Sequence, residues 1–283
     1  MPSAILLISC QDQRGVTATV TDFVYRHNGN ILHAVQHIDD QSNTFFMRIE
    51  WSLDEFSLSR NDISPAFEAV ANKFQMSWDL YFSDQRPNVA IFVSKHLHCL
   101  HDLLYRYEAK ELTCNIPLII SNHNDAKKMA KDHKIEFAAI PVTAETKTQQ
   151  EKKQIELLRS YNIDLIILAR YHQILTKDFV DYYPNRIINI HHSFLPAFPG
   201  EKPYARAHEK GVKIIGATSH YVTEQLDEGP IIEQDTVRVS HRDTVQEYKR
   251  RGNNLERIVL SRAVRWHLER RILCFNNKTV VFE

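Results

Sequence analysis

A chain of 283 residues with 43% hydrophobic and 25% charged side chains has the composition of a globular protein of one or two domains, with room for a sizeable core. Lysine plus arginine equals aspartate plus glutamate, 35 against 35, so no general attraction to nucleic acid or anionic lipid is implied, and no apolar run approaches the ~18 residues of a membrane span. Cys10, Cys99, Cys114 and Cys274 form no Cys-x-x-Cys pair and read as reduced, buried thiols; with the opening Ala4-Ile5-Leu6-Leu7-Ile8 too short for a signal segment, the expected compartment is cytoplasmic.

Residues 4–10 read as a short buried strand and 11–15 as a turn. Val16, Val20, Phe23 and Val24 then recur at helical spacing up to Asn28-Gly29-Asn30, where Gly29 suits a left-handed helix stop. Residues 31–38 and 44–51 carry β-branched and aromatic side chains on either side of a turn-like 39–43, the pattern of a hairpin. Helical spacing returns over 63–74, and 76–82 is a fourth strand. Strand, helix, strand, strand, helix, strand is the split βαβ order of the ferredoxin-like fold.

The polar, proline-terminated Ser83-Asp84-Gln85-Arg86-Pro87 marks a boundary, giving one domain over 1–84 and a second over 88–283. In the second, short apolar runs at 89–93, 117–120, 137–140 and 165–168 alternate with helical segments near 101–107, 125–133 and 147–161. That alternation predicts an α/β domain with a parallel sheet. Residues 214–222 and 231–239 are strand candidates with no helix between them, hence an antiparallel edge. Two helical segments, 244–250 and 255–270, precede a last hairpin turning at Asn276-Asn277.

None of the seven glycines forms Gly-x-Gly or the Walker spacing, which disfavours nucleotide binding by a glycine-rich loop. His96, His98, Cys99 and His101 are the densest group of potential metal ligands, but their spacing fits no usual zinc pattern and no metal is assigned. They read better as a loop or a helix start, where Ser94, Lys95 and the following amides could hold an anionic group. Asn189 and His191 are two apart and share one face of an extended strand; Pro196, Pro199 and Gly200 then force a loop. Ligand sites of parallel α/β sheets lie beyond such C-terminal strand ends. A buried asparagine and histidine tying down a loop is the alternative for that pair, and it is the preferred reading of His192. Asp227, in Asp227-Glu228-Gly229-Pro230, reads alone as a turn aspartate and becomes a candidate acid–base group only in combination with the other two.

Asn189-Ile190-His191, Leu195-Pro196, Gly216-Ala217-Thr218-Ser219-His220 and Asp227-Glu228-Gly229-Pro230 resemble the motifs of formyltetrahydrofolate-dependent formyltransferases. The strings IINIHHSFLPAF at 187–198, GVKIIGATSH at 211–220 and PVTAETK at 141–147, with His98-Cys99-Leu100, are similar to the hydrolytic branch, the formyltetrahydrofolate deformylases, which carry an N-terminal ACT domain of ferredoxin-like order. The resemblance implies an ACT regulatory or oligomerisation domain followed by a Rossmann-like formyltransferase domain with a mostly parallel sheet and an antiparallel edge. It also implies hydrolysis of 10-formyltetrahydrofolate to formate and tetrahydrofolate, with Asn189, His191 and Asp227 as the catalytic trio. Folate is substrate here, and no cofactor is implied. The pterin is expected against Tyr171, His172, Gln173, Ile174 and Leu175 and against Thr223, Glu224, Gln225 and Leu226, with Val180 in the wall. Thr218 and His220 are expected to support Asp227 or a water. His172 departs from the methionine of the family pattern, and Pro199-Gly200-Glu201-Lys202 from its version of that segment.

Two rivals remain: a transferase passing the formyl group to an amine such as glycinamide ribonucleotide, which would need a phosphate site near Ser94 to His98 and Gly200, and a non-catalytic folate or amino-acid sensor. An amino-acid effector at the ACT domain and a homo-oligomer, dimer or tetramer, are family-level expectations.

Overall fold

The computed structural model describes residues 2–197 and 203–283, so the divergent 199–202 segment lies outside the described residues. Contacts divide the chain into two compact units, one of residues 1–85, 269–273 and 280–283 and one of 86–268 and 274–279. The sequence reading assigned everything after residue 88 to the second domain, whereas two short C-terminal pieces group with the first. Within that first unit Arg48, buried in a strand, donates from Nε to the Arg270 carbonyl at 3.0 Å and from Nη2 to the Glu269 carbonyl at 3.3 Å, a long-range tie that no local pattern announces.

The first unit contains β1 (Ser3–Gln11), α1 (Val16–Arg26), β2 (Ile31–Asp39), β3 (Thr44–Ser52), α2 (Arg60–Phe74) and β4 (Ser77–Phe82). The strands form an antiparallel sheet in the order β2-β3-β1-β4, the ferredoxin-like arrangement expected from the element order. Alternate residues of β1, Ala4, Leu6, Ile8 and Cys10, pack with Val20 and Val24 of α1 and Phe67 of α2, as a period of two facing a period of 3.6 requires. Gly29 has a different reason from the one expected. The left-handed residue is Asn28, at φ 59°, while a side chain on Gly29 would lie 2.9 Å from the Val24 carbonyl, which accepts the Gly29 amide.

The second unit contains β5 (Asn88–Val93), α3 (His98–Glu108), β6 (Asn115–Ser121), α4 (Lys127–Asp132), β7 (Glu136–Ala139), α5 (Lys147–Ser160), β8 (Leu165–Leu168), α6 (Lys177–Asp181), β9 (Ile187–His191), α7 (Pro203–Glu209), β10 (Ile214–Tyr221), β11 (Ile231–Arg238) and α8 (Val245–Leu268). A closing hairpin follows, β12 (Ile272–Phe275) and β13 (Lys278–Val281), whose turn residues Asn276 and Asn277 both have positive φ, as a two-residue turn of this kind demands. The sheet runs β11-β10-β9-β8-β5-β6-β7, with β5 to β9 parallel and the β9-β10 and β10-β11 pairs antiparallel. The chain works outward from β5 through β6 to β7, then returns to the other side of β5 with β8. That reversal opens a crevice beyond the C-terminal ends of β5 and β8, where α/β sheets bind their ligands.

One helical expectation fails instructively. The two segments read on either side of Gly252-Asn253-Asn254 are one uninterrupted helix, α8, of 24 residues. Gly252 is no break: a Cβ there would stand 2.1 Å from the ring of Tyr204, so the glycine serves a close approach between α8 and α7.

Candidate active site

β9 is held rigidly. Ile187, Ile188 and Ile190 are fully or almost fully buried, between parallel β8 on one side and antiparallel β10 on the other. The antiparallel register sets His220 opposite Asn189 and Thr218 opposite His191, so that the side chains of facing residues meet. The His220 Nδ1 lies 2.9 Å from the Tyr221 carbonyl, to which it donates; in the neutral ring its Nε2 then accepts from Asn189 Nδ2 at 3.2 Å. This fixes which end of the asparagine amide is the donor.

Asp227 arrives from the loop after β10. Its φ of 57° is a left-handed conformation rare for a residue with a side chain. The loop is closed from several directions: the Tyr221 amide donates to the Pro230 carbonyl at 2.9 Å, Asn277 Nδ2 donates to the Glu228 carbonyl at 2.8 Å, and a Cβ on Gly229 would lie only 1.8 Å from the Tyr221 carbonyl oxygen. Thus held, Asp227 Oδ2 stands 3.1 Å from His191 Nδ1 and Oδ1 stands 3.6 Å from His220 Nε2. Burial alone would raise the Asp227 pKa, but hydrogen bonding and charge from His191, and from His220 in its protonated form, more than offset it and keep the carboxyl well below the usual carboxylate range. His191 Nε2 is buried and has no hydrogen-bond partner among the described residues.

These groups open on one cavity of about 640 Å³ at the crevice of the sheet. Tyr171, His172, Gln173, Ile174 and Leu175 line it after β8, and Thr223, Glu224, Gln225 and Leu226 line it after β10, together with Asn189, His191, His220 and Asp227. Two residues expected at the site stand behind it. Val180, on α6, is buried in the apolar core beneath, and Thr218 is fully buried, its hydroxyl accepting from the Leu195 amide at 3.0 Å and donating to the Ser193 carbonyl at 2.8 Å. Thr218 thereby shapes the loop after β9.

Part of the cavity lining is not foreshadowed in the sequence: Arg170 after β8, Tyr204 on α7, and Lys249 and Asn253 on α8; His96 after β5, grouped there with the potential metal ligands, lines the cavity as well. His192, read as a structural loop residue, also lines the cavity and packs 5.1 Å, centroid to centroid, from the His191 ring. Burial, then the charge of Arg170, depress the His192 pKa to about 3. Of the supposed metal group, His98 and Cys99 come together with Glu256, with ligand-type atoms within 4.8 Å of one another, while His101 is exposed. That cluster is internally satisfied: Glu256 Oε2 pairs with His98 Nε2 at 2.8 Å, Oε1 accepts from the Tyr204 hydroxyl at 2.6 Å, and burial raises the Cys99 thiol pKa well above its ordinary value. Burial would raise Glu256 too, but His98, Arg170 and Tyr204 together bring it down to about 2.

Comparison with known proteins adds identity to this geometry. Residues 87–264 match the formyl transferase family model and residues 4–70 the ACT domain model. Formyltetrahydrofolate deformylase of Synechocystis sp. is 57% identical over 99% of this chain and 98% of its own. The crystal structure of a formyltetrahydrofolate deformylase from Pseudomonas syringae superposes with a TM-score of 0.98 at 44% identity, covering 100% of this chain and 95% of that one. Glycinamide ribonucleotide transformylase 1 from Symbiobacterium toebii, at 29% identity and a TM-score of 0.67, covers 72% of this chain and 98% of that one.

Proposed function

The chain belongs to the formyltetrahydrofolate deformylases, an ACT domain joined to a formyl transferase domain, and from that premise we propose that it hydrolyses 10-formyltetrahydrofolate to formate and tetrahydrofolate. The observation that carries the reading is the Asp227 carboxylate set 3.1 Å from His191 Nδ1, with Asn189 on the same strand and facing the same cavity. Near full-length similarity to deformylases, ACT portion included, favours water over an amine as acceptor, since the transformylase covers only 72% of the chain.

A formamide is a weak electrophile, and the barrier falls chiefly through stabilising negative charge on the formyl oxygen as water adds. Asn189 Nδ2 has two hydrogens, one committed to His220, and the second donates to that oxygen. His191 Nδ1–H donates to Asp227, which leaves Nε2 to take a proton from the attacking water. As the water oxygen bonds to the formyl carbon, the carbonyl electron pair moves onto oxygen. The resulting imidazolium sits beside that oxyanion, its charge balanced by Asp227. It then returns the proton to N10, and the oxyanion pair re-forms the carbonyl as the carbon–nitrogen bond breaks. The pair in that bond stays with a neutral amine rather than an anion, and the formic acid released gives its proton to water to become formate. Each donor to the oxyanion contributes about 3 to 4 kcal/mol.

The folate fits the lining after β8 and β10, where exposed apolar Ile174 and Leu226 offer a surface for an aromatic ring system. An amino-acid effector at the ACT unit and assembly into a homo-oligomer belong to the same reading. The test is a reaction mixture containing 10-formyltetrahydrofolate and no amine. Formate and tetrahydrofolate should appear in equal amounts; formate that appears only as a formylated amine once an amine is added would replace this reading with the transferase.

A further inference from the structure

Hydrolysis as described does not use every residue of the cavity lining. Arg170, held at φ 65° two residues after β8, lines the cavity with its side chain 10% exposed. Its nearest acid is Glu256, but both oxygens of that carboxylate are already taken by His98 and Tyr204. Arg170 Nε lies 3.4 Å from Glu256 Oε2 and makes no hydrogen bond to any described residue. A guanidinium carries five N–H donors in a flat fork, and a buried donor without an acceptor, as Nε is here, is costly. Around it, His96, His172, His192 and Lys249 line the same cavity. The two carboxylates of the lining are engaged elsewhere, Asp227 with His191 and Glu224 with Lys177 at 3.8 Å.

We propose that the cavity holds a subsite for a small oxyanion, with Arg170 as its forked ligand and Lys249, His96 and His172 lining it, and that the occupant is the formate released by hydrolysis. The oxyanion chemistry follows from the side chains; the choice of formate rests on the proposed hydrolysis. A planar carboxylate matches the fork with two parallel hydrogen bonds. Burial, and after it the Arg170 charge, hold His96 and His172 below their ordinary pKa, a direction that an anion bound beside Arg170 opposes. Formate generated at Asn189 and His191 thus has a place to go within the same cavity before it leaves.

The test uses the full chain without folate. ¹³C-formate is titrated while its NMR linewidth is followed, with chloride holding ionic strength constant, and inorganic phosphate is added in a second arm. Wild type should broaden the formate signal, and Arg170→Lys, which keeps the charge beside Glu256 but loses the fork, should weaken binding by about tenfold. Lys249→Gln, at an exposed helix position that folding does not depend on, should weaken it as well. No broadening in wild type, or wild-type affinity in both variants, overturns the subsite; phosphate that binds more than about tenfold tighter than formate overturns formate as the occupant. Formate release from 10-formyltetrahydrofolate is measured on the same preparations. A protein that binds formate through Arg170 yet releases none contradicts the hydrolytic reading, whereas one that hydrolyses without binding formate contradicts only the subsite.

Discussion

Replacing Asp227 by asparagine keeps the side-chain volume and removes its charge. His191 Nδ1, 3.1 Å from Oδ2, can still donate to an amide oxygen, so the ring need not turn. What disappears is the counter-charge to the imidazolium formed as water adds. A unit pair about 4 Å apart at an effective dielectric of ~20 is worth ~4 kcal/mol. Part of that is offset by the remaining neutral hydrogen bond, and part is compounded by the loss of a matched base. A net ~3 to 5 kcal/mol, or roughly 10² to 10⁴ in kcat, is the expected effect. KM should stay within about threefold, because Asp227 acts on the proton and not on the pterin. The assay is the initial rate of formate release, coupled to formate dehydrogenase, over a range of 10-formyltetrahydrofolate, with thermal unfolding as the check on folding. A kcat within about threefold of wild type, or a loss confined to KM, would refute the role given to this carboxylate.

Asn189→Ala removes a donor to the oxyanion and should lower kcat by roughly 10² to 10³ with little change in KM, read in the same assay. In Gly229→Ala the new methyl would meet the Tyr221 carbonyl oxygen at 1.8 Å, which the backbone can relieve only by opening the turn that carries Asp227. Stability in urea should fall by about 1 to 3 kcal/mol and kcat with it; a variant matching wild type in both would show that the turn is not required. His192 titrates at about 3 in the fold, below the ~6.5 of an unfolded chain. Between those values the unfolded state binds the extra proton, so this group makes stability rise with pH and lose ground as pH falls below ~6.5. His192→Gln should flatten the stability–pH slope there by up to ~1.4 kcal/mol per unit, measured by urea unfolding at stepped pH; an unchanged slope would mean that His192 is protonated in the folded protein.

Much of the architecture follows from periodicity. Alternation in β1 and the helical stripe of α1 are local patterns, and the split βαβ order needs nothing else to be read. Two glycines carry meaning that periodicity hides. Gly29 suggests a left-handed stop and Gly252 lies in the gap between two expected helical segments, yet both are glycine because another group comes too close for a side chain, Val24 in one case and Tyr204 in the other. A single sequence does not distinguish a glycine chosen for its backbone angle from one chosen for its missing methyl. The two short helices α6 and α7, five and seven residues long, carry too few turns to declare a period.

The same contrast divides the cavity. Asn189 and His191 lie two apart on one strand, and His220 and Asp227 lie at the end of the next, so strand alternation and one turn motif bring this half within reach of inspection. The opposite wall has no such compactness. His98 and Glu256 are 158 positions apart, and Arg170 and Tyr204 reach the same carboxylate from two further segments. Glu256 itself sits mid-helix on α8 and is fully buried, whereas a glutamate there would be assigned to solvent by any rule of composition. Only the packing of α3 and α7 against α8, which brings His98 and Tyr204 to its carboxylate, explains why it is inside. A carboxylate so placed balances a buried guanidinium at the cavity wall while leaving its Nε without a hydrogen bond, and the proposed anion would complete that pairing.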